Sequence, residues 1–132
     1  MKKGFTLVEL LVVIAIIGLL TTMVVISISH VKSKARDGQR VSDINSIATA
    51  LSLYHNDENA YPIFDGDITG TDVLSSALES AGTISSVPID PLNIGDYIYY
   101  YQSVDGSDYY LEYYLETNSV SGKDQGLNYI VP

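Results

Sequence analysis

The sequence contains no cysteine and only four prolines in 132 residues. Without cysteine, a disulfide framework, a thiol nucleophile and a thiolate metal site are all excluded. The length suffices for one domain but is too short for two comfortable hydrophobic cores. The sequence therefore predicts a single folded domain that is stabilised without disulfide bonds.

Basic residues are almost absent from the second part of the chain. Residues 44–132 carry thirteen acidic residues and only Lys123, which leaves this part near −12. Such a charge favours solubility and opposes nucleic-acid binding, so no nucleic-acid partner is predicted. The other basic residues flank an apolar stretch, where anionic lipid head groups or acidic protein surfaces would attract them. They are Lys2, Lys3, Lys32, Lys34, Arg36 and Arg40.

The apolar stretch runs from Leu10 to Ile28 and contains nineteen residues with no charge. A helix that is apolar on every face is either a membrane span or the centre of a large core, and this chain is too short for a large core. At about 1.5 Å per residue, the stretch is close to the length that crosses a bilayer. A cleaved secretory signal is the alternative, but no clear small-x-small cleavage site follows. The pattern predicts a membrane-spanning helix.

The apolar pattern changes period beyond the predicted span. A stripe at helical spacing predicts that the helix continues as an amphipathic one, from about residue 5 to about residue 55. The polar segment 56–59 and then Pro62 are expected to end it. The stripe consists of Ile44, Ile47, Ala48, Leu51 and Tyr54.

The remaining residues predict the layer that covers this stripe. Asp72–Ala81 is typical of a short helix, with Asp72 as N-cap and Gly82 beyond its end. Three strands are predicted at Tyr97–Gln102, Tyr109–Thr117 and Leu127–Val131. Successive residues of the second strand point to opposite faces of the sheet, and one of these faces is expected to be buried and the other exposed to solvent. The buried face consists of Leu111, Tyr113 and Leu115, and the solvent-exposed face consists of Tyr110, Glu112, Tyr114 and Glu116. The expected fold is α+β: one long N-terminal helix, its first half transmembrane, packed under a small antiparallel β-sheet.

The N-terminal segment Lys2–Leu10 resembles the prepilin cleavage and methylation motif of the type IV pilin family. The resemblance covers residues 1–62 well and is looser around residues 87–91. It implies a leader at 1–4, a transmembrane and assembly helix at 5–29, and a periplasmic or extracellular pilin head at 30–132. It also implies that prepilin peptidase cuts between Gly4 and Phe5 and that the new amine of Phe5 is methylated.

Glu9 is a carboxylate at the edge of an apolar helix. Such a charge costs roughly 2.5–3.5 kcal/mol on insertion scales unless it is paired. Cleavage after Gly4 creates an ammonium on Phe5, and in a staggered bundle this group can meet Glu9 of a neighbouring subunit. Glu9 is therefore predicted to set the register of assembly. The alternative role is a first-turn glutamate that stabilises its own helix N-terminus.

The function that this resemblance implies is structural, as a subunit of a type IV pilus filament. The alternatives are a pseudopilin of a type II secretion or DNA-uptake system and a single-span membrane protein that does not polymerise. The expected partners are further copies of the chain, minor pilins, prepilin peptidase, the inner-membrane assembly platform and, before assembly, the lipid bilayer. The expected location is the inner membrane and then an extracellular or periplasmic filament.

An enzyme is not predicted, because no serine or threonine stands in a hydrolase signature with a histidine and an acid. His30 and His55 lie far apart along the chain and lack ligands at metal spacing. Residues 65–70 resemble the opening of a calcium loop through Asp65, Asp67 and Thr69, but the twelfth position is Ser76 instead of glutamate. The alternative is a polar turn leading into the Asp72 cap. No other cofactor is expected.

Two further features of the sequence are the position of the basic residues and the clustering of the tyrosines. Four basic residues follow the apolar span, on the side that the family orientation places outside the cytoplasm, against the positive-inside tendency. Most of the eleven tyrosines cluster in 97–114, which is typical of strands. An adhesive or glycan-stacking face that uses Tyr110 and Tyr114 is the alternative interpretation of that cluster.

Overall fold

The computed structural model describes residues 4–132, except for the side chains of residues 24–27. Lys2 and Lys3 of the predicted leader lie outside the described residues. Tertiary contacts divide the chain into two units, Met1–Ser33 and Lys34–Pro132. The elements in chain order are α1 (Leu7–Glu58), β1 (Phe64–Asp67), α2 (Val73–Ser80), β2 (Tyr100–Ser103), β3 (Tyr110–Leu115) and β4 (Gly126–Ile130).

Helix α1 is 52 residues long and contributes to both units. It ends at Glu58, three residues later than expected, where Asn59 adopts a left-handed conformation with φ of 54°. The Asn59 N–H donates to the carbonyl of His55 at 2.9 Å, which closes the last turn. Asparagine tolerates this conformation better than most residues, so it ends the helix ahead of Pro62.

The four strands form one antiparallel sheet in the order β1-β2-β3-β4. Strands β2, β3 and β4 were predicted, with bounds that differ by one to three residues. Strand β1 was not predicted, because its central sequence Asp65-Gly66-Asp67 is typical of a turn. It forms because its backbone pairs with β2, from Phe64 opposite Ser103 to Asp67 opposite Tyr100.

Helix α2 agrees with its sequence signals. The Asp72 carboxylate caps it by accepting from the N–H of Ser75 at 2.9 Å, and Gly82 follows it with φ of 72°. Leu74 and Leu78, one turn apart, are fully buried. The helix therefore adds one apolar face to the core of the second unit.

The core of the second unit combines the stripe of α1 with the inward face of β3. Leu51 of α1 belongs to the same buried cluster as Leu111, Tyr113 and Leu115 of β3. Ile44 and Ile47 complete the buried part of the stripe. The structure confirms the predicted α+β, pilin-like architecture.

Truncating Leu51 tests this packing. In a soluble fragment of residues 30–132, Leu51→Ala should lower the free energy of unfolding by about 2–5 kcal/mol, because it removes buried methyl groups and leaves a cavity. Leu53→Ala is the matched control, since Leu53 lies on the same helix but is 50% exposed. Denaturant titration of both variants is the measurement. Equal losses at the two positions would contradict the assignment of the buried stripe.

Candidate functional site

The predicted cleavage site lies in the non-helical segment before α1. Gly4 and Phe5 precede the first helical residue, Leu7, and both are exposed. A peptidase needs an extended, accessible backbone, because a helix hides the peptide bond within its hydrogen-bonded turns. The Gly4–Phe5 bond therefore lies outside the helical turns of α1 and is accessible, as the predicted processing requires.

Glu9 is engaged with Thr6 at the start of α1. The N–H and the hydroxyl of Thr6 both donate to Glu9 Oε2 at 2.8 Å, and the N–H of Glu9 donates back to the Thr6 hydroxyl at 3.3 Å. This reciprocal arrangement is a capping box, with Thr6 as N-cap and Glu9 three residues later. Thr6 was not among the predicted site residues, although Thr-x-x-Glu before an apolar run signals such a box. In the single chain, Glu9 therefore stabilises its own helix N-terminus.

The apolar side chains of the first unit are uncovered. The large apolar residues from Phe5 to Met23 are 43–79% exposed. This part of α1 is apolar and long enough, by length and composition, to cross a membrane. An exposed apolar surface of this extent is typical of a site of contact with a membrane or with another protein.

Arg40 is the centre of a buried ionic network in the second unit. Its Nε and Nη2 donate to the two carboxylate oxygens of Asp90 at 2.6 and 3.1 Å, and its Nη1 donates to Asp37 and Glu116 at 2.9 and 2.7 Å. Asp37 also accepts from the backbone N–H groups of Glu116 and Thr117, each at 2.8 Å. The network therefore joins α1, the loop before β2 and the segment after β3.

Two further groups extend this network. The Nε of Arg36 donates to Glu116 at 2.6 Å, and the guanidinium of Arg40 lies 4.7 Å from the centre of the Tyr97 ring. Burial alone would lower the pKa of Arg40, but the hydrogen bonds to Asp90 and Glu116 outweigh it and raise the pKa. Arg40 is therefore a permanent cation inside the head.

The network corrects two expectations. Arg36 and Arg40 were expected to lie near lipid head groups or an acidic partner. Glu116 was expected to lie on the solvent-exposed face of β3. Both arginines instead bind Glu116, which lies one residue beyond β3, so strand alternation no longer determines its direction. These pairings also account for part of the positive charge beyond the span, since carboxylates of the head neutralise it. Asp37 and Arg40 continue the apolar stripe at helical spacing, a signal that could have located them.

The three residues of the calcium candidate take separate roles. Asp65 and Asp67 lie on β1, and Asp65 accepts from Tyr100 Oη and from Gln102 Nε2. The N–H of Thr69 donates to Asp72 at 2.8 Å, as part of the α2 cap. Across the part of the chain that is described, no three His, Asp or Glu residues are grouped as metal ligands. His55 packs against the ring of Tyr61, with ring centres 4.4 Å apart.

Calcium is therefore expected to leave the stability of the head unchanged. Any ion bound only by the folded state raises stability by mass action, about 2.7 kcal/mol at a hundredfold excess over Kd. We expect the same Tm in millimolar calcium and in chelator, measured by circular dichroism on residues 30–132. Magnesium at equal ionic strength is the control. A rise specific to calcium that Asp67→Ala abolishes would show that the acidic segment does bind the ion.

Comparison with known proteins finds one matching family motif and several relatives that share one name. The prokaryotic N-terminal methylation motif matches residues 1–28. The type II secretion system core protein G of Pectobacterium carotovorum subsp. carotovorum is 46% identical over 61 residues, which cover 46% of this chain and 39% of that protein. The core protein G of Aeromonas hydrophila is 36% identical over 99 residues, 68% of this chain and 67% of the relative. No solved structure gives a significant match.

A third relative matches over a larger share of the chain. The type II secretion system core protein G of Escherichia coli (strain K12) is 34% identical over 103 residues, which cover 74% of this chain and 70% of that protein. These relatives are named as core components of a secretion system and not as enzymes, in keeping with the predicted structural role. The similarity thus includes the motif, the apolar helix and much of the head. The chain belongs to the type IV pilin-like family that includes the type II secretion system core protein G.

Proposed function

We propose that this chain is a pseudopilin, a subunit that polymerises through α1 into the filament of a type II secretion system. The observation that carries the proposal is the uncovered apolar face of α1, joined to a head related in sequence to core protein G. The relatives favour this function over the pilus subunit that was the first expectation. An uncovered helix of this kind has two stable environments, the bilayer and a bundle of identical helices.

Before assembly, the chain would cross the inner membrane once, with its head outside the cytoplasm. On cleavage, the apolar segment leaves lipid and packs against neighbouring copies, so its burial is preserved. The head would then lie at the filament surface, in the periplasm or outside the cell. The partners in this scheme are further copies of the chain, other pseudopilins, prepilin peptidase and the inner-membrane assembly platform.

Processing would depend on the small size of Gly4. Glycine has no side chain, so a membrane peptidase can approach its backbone closely. Gly4→Leu is expected to leave the leader attached, because the new side chain blocks this approach. Mass spectrometry of the membrane-bound chain shows whether the leader has been removed. Gly18→Leu is the control, since it adds the same side chain within α1, where a Cβ meets nothing within 4 Å, and leaves the cleavage site intact. A mature Phe5 terminus in Gly4→Leu would contradict the assignment.

Deleting the gene in its own host tests the function. If the chain is a pseudopilin, proteins normally released into the medium should accumulate inside the cell envelope, and the wild-type gene should restore their release. Surface filaments sheared from the cells should be unchanged. Normal release together with lost surface filaments would overturn the proposal in favour of a pilus subunit.

A further inference from the structure

The outward face of the sheet carries a row in which carboxylates and tyrosines alternate. Asp67 of β1 lies opposite Tyr100 of β2, Tyr100 lies opposite Glu112 of β3, and Glu112 lies opposite Tyr129 of β4. Directly opposed residues share a face, with Cβ atoms about 4.5–5.5 Å apart. The ring of Tyr100 is therefore flanked by a carboxylate on each side. We name this row, together with the neighbouring Tyr110 and Tyr114, the acidic-tyrosine face.

A cavity of about 580 Å³ lies on this face. A tight turn before β2 forms one of its walls, held by the Tyr97 N–H donating to the Ile94 carbonyl at 3.0 Å. This turn brings Asp96 to the cavity, whose lining also includes Asp67 and Glu112. Three tyrosines also line the cavity, and no lysine, arginine or histidine is among the lining residues described. The charged groups of the cavity described are thus all negative, and they lie among aromatic rings.

Neighbouring groups hold these side chains in place. The rings of Tyr110 and Tyr129 stack with centres 5.0 Å apart, and the rings of Tyr97 and Tyr114 pack edge to face with centres 5.3 Å apart. Hydrogen bonds from Tyr100 and Gln102 lower the pKa of Asp65 at the border of the face, so this carboxylate stays ionised at neutral pH. The aromatic surface is therefore pre-formed and surrounded by negative charge.

We propose that the acidic-tyrosine face binds a lysine- or arginine-rich segment of a partner protein. A cation within about 6 Å of an aromatic ring is attracted to its face, and flanking carboxylates add direct charge attraction. Anionic lipid and nucleic acid would be repelled by the same charges. The proposal goes beyond polymerisation, because the opposite face of β3 is the one that packs in the core with α1. Within the second unit, the acidic-tyrosine face thus points away from the part of α1 that packs in the core.

A labelled penta-arginine peptide is the probe, titrated against the full-length chain in neutral detergent and followed by fluorescence anisotropy. Glu112→Gln keeps the shape of the side chain but removes its charge, and it should weaken binding about threefold to fivefold, as for one exposed ion pair. Tyr100→Leu should weaken binding by a similar factor of about two to five through loss of the ring. Penta-glutamate should not bind.

Glu58→Gln is the matched control, since it removes the same charge at the end of α1, from a residue that does not line the cavity. Circular dichroism should show that all variants keep the wild-type Tm. The proposal fails if Glu58→Gln weakens binding as much as Glu112→Gln, because attraction would then come from the overall charge. It also fails if a neutral oligosaccharide, cellohexaose, binds tighter than penta-arginine and Glu112→Gln leaves that binding unchanged, because the face would then be a glycan platform.

Discussion

Replacing Glu9 with glutamine is expected to reduce filament yield about tenfold or more, since an unpaired charge in a helix bundle costs several kcal/mol. Glutamine keeps the size of the side chain and its acceptor oxygen but removes the charge. The ammonium of a cleaved neighbour's Phe5 would then enter an apolar bundle with no anion to meet it. Membrane insertion should not suffer, because a charge that is costly in hydrocarbon has been removed.

The capping box of Thr6 and Glu9 makes a sharp control possible. Thr6→Val removes one hydroxyl from the box, which weakens helix N-capping by about 0.5–2 kcal/mol, but it keeps the Glu9 carboxylate. Filament yield should therefore persist in Thr6→Val and fail in Glu9→Gln. The measurement is sheared filament against total membrane-bound subunit, with each variant as the sole source of the protein. Equal failure of both variants would show that Glu9 acts only by capping its own helix.

Replacing Arg40 with methionine should destabilise the head by about 3–5 kcal/mol, because the loss of one partner leaves carboxylates buried without a counter-charge. Arg40, Asp37 and Asp90 are each at most 2% exposed, so water cannot solvate the charges that remain. Methionine fills similar space, which separates the lost charge from a lost volume. Urea titration of residues 30–132 measures the difference.

Two variants define the cause of this loss. Lys34→Met removes an exposed charge from the same helix and should change the free energy of unfolding by less than about 0.5 kcal/mol. Arg40→Lys keeps the charge but cannot form the bidentate contact with Asp90, so its loss should be intermediate. Near-wild-type stability of Arg40→Met would mean that packing, and not ion pairing, holds α1 to the segment after β3.

The N-terminal motif and the Arg40 network differ in how much of each can be predicted from the sequence. Gly4, Phe5 and Glu9 belong to a contiguous motif, and α2 has its cap and its final glycine within eleven residues. Local chemistry suffices for such features, because the interacting groups are neighbours in the chain. The Arg40 network joins positions 37, 40, 90 and 116. No local pattern connects these positions, although the helical spacing of Asp37 and Arg40 with the apolar stripe could have shown that these two residues face the core.

Strand β1 shows the same limit in the backbone. Its residues Asp65-Gly66-Asp67 favour a turn, and pairing with β2 overrides that local preference. The acidic-tyrosine face depends on the same pairing, since it places Asp67 beside Tyr100. Alternation within β3 predicted that Tyr110, Glu112 and Tyr114 face outward together, but not that Asp67 and Asp96 from other segments would lie beside them.

The sequence alone determined the long helix, its apolar first half, the N-terminal methylation motif, α2 and the inward face of β3, because periodicity, capping and a contiguous motif act over short stretches of chain. Only the tertiary structure decided three features: the existence of β1, the pairing of the Arg36 and Arg40 side chains with Glu116, and the alternation of acidic residues and tyrosines across four strands. These features depend on contacts between segments up to eighty residues apart, such as Arg36 with Glu116. Chain folding, and not local preference, brings such groups together.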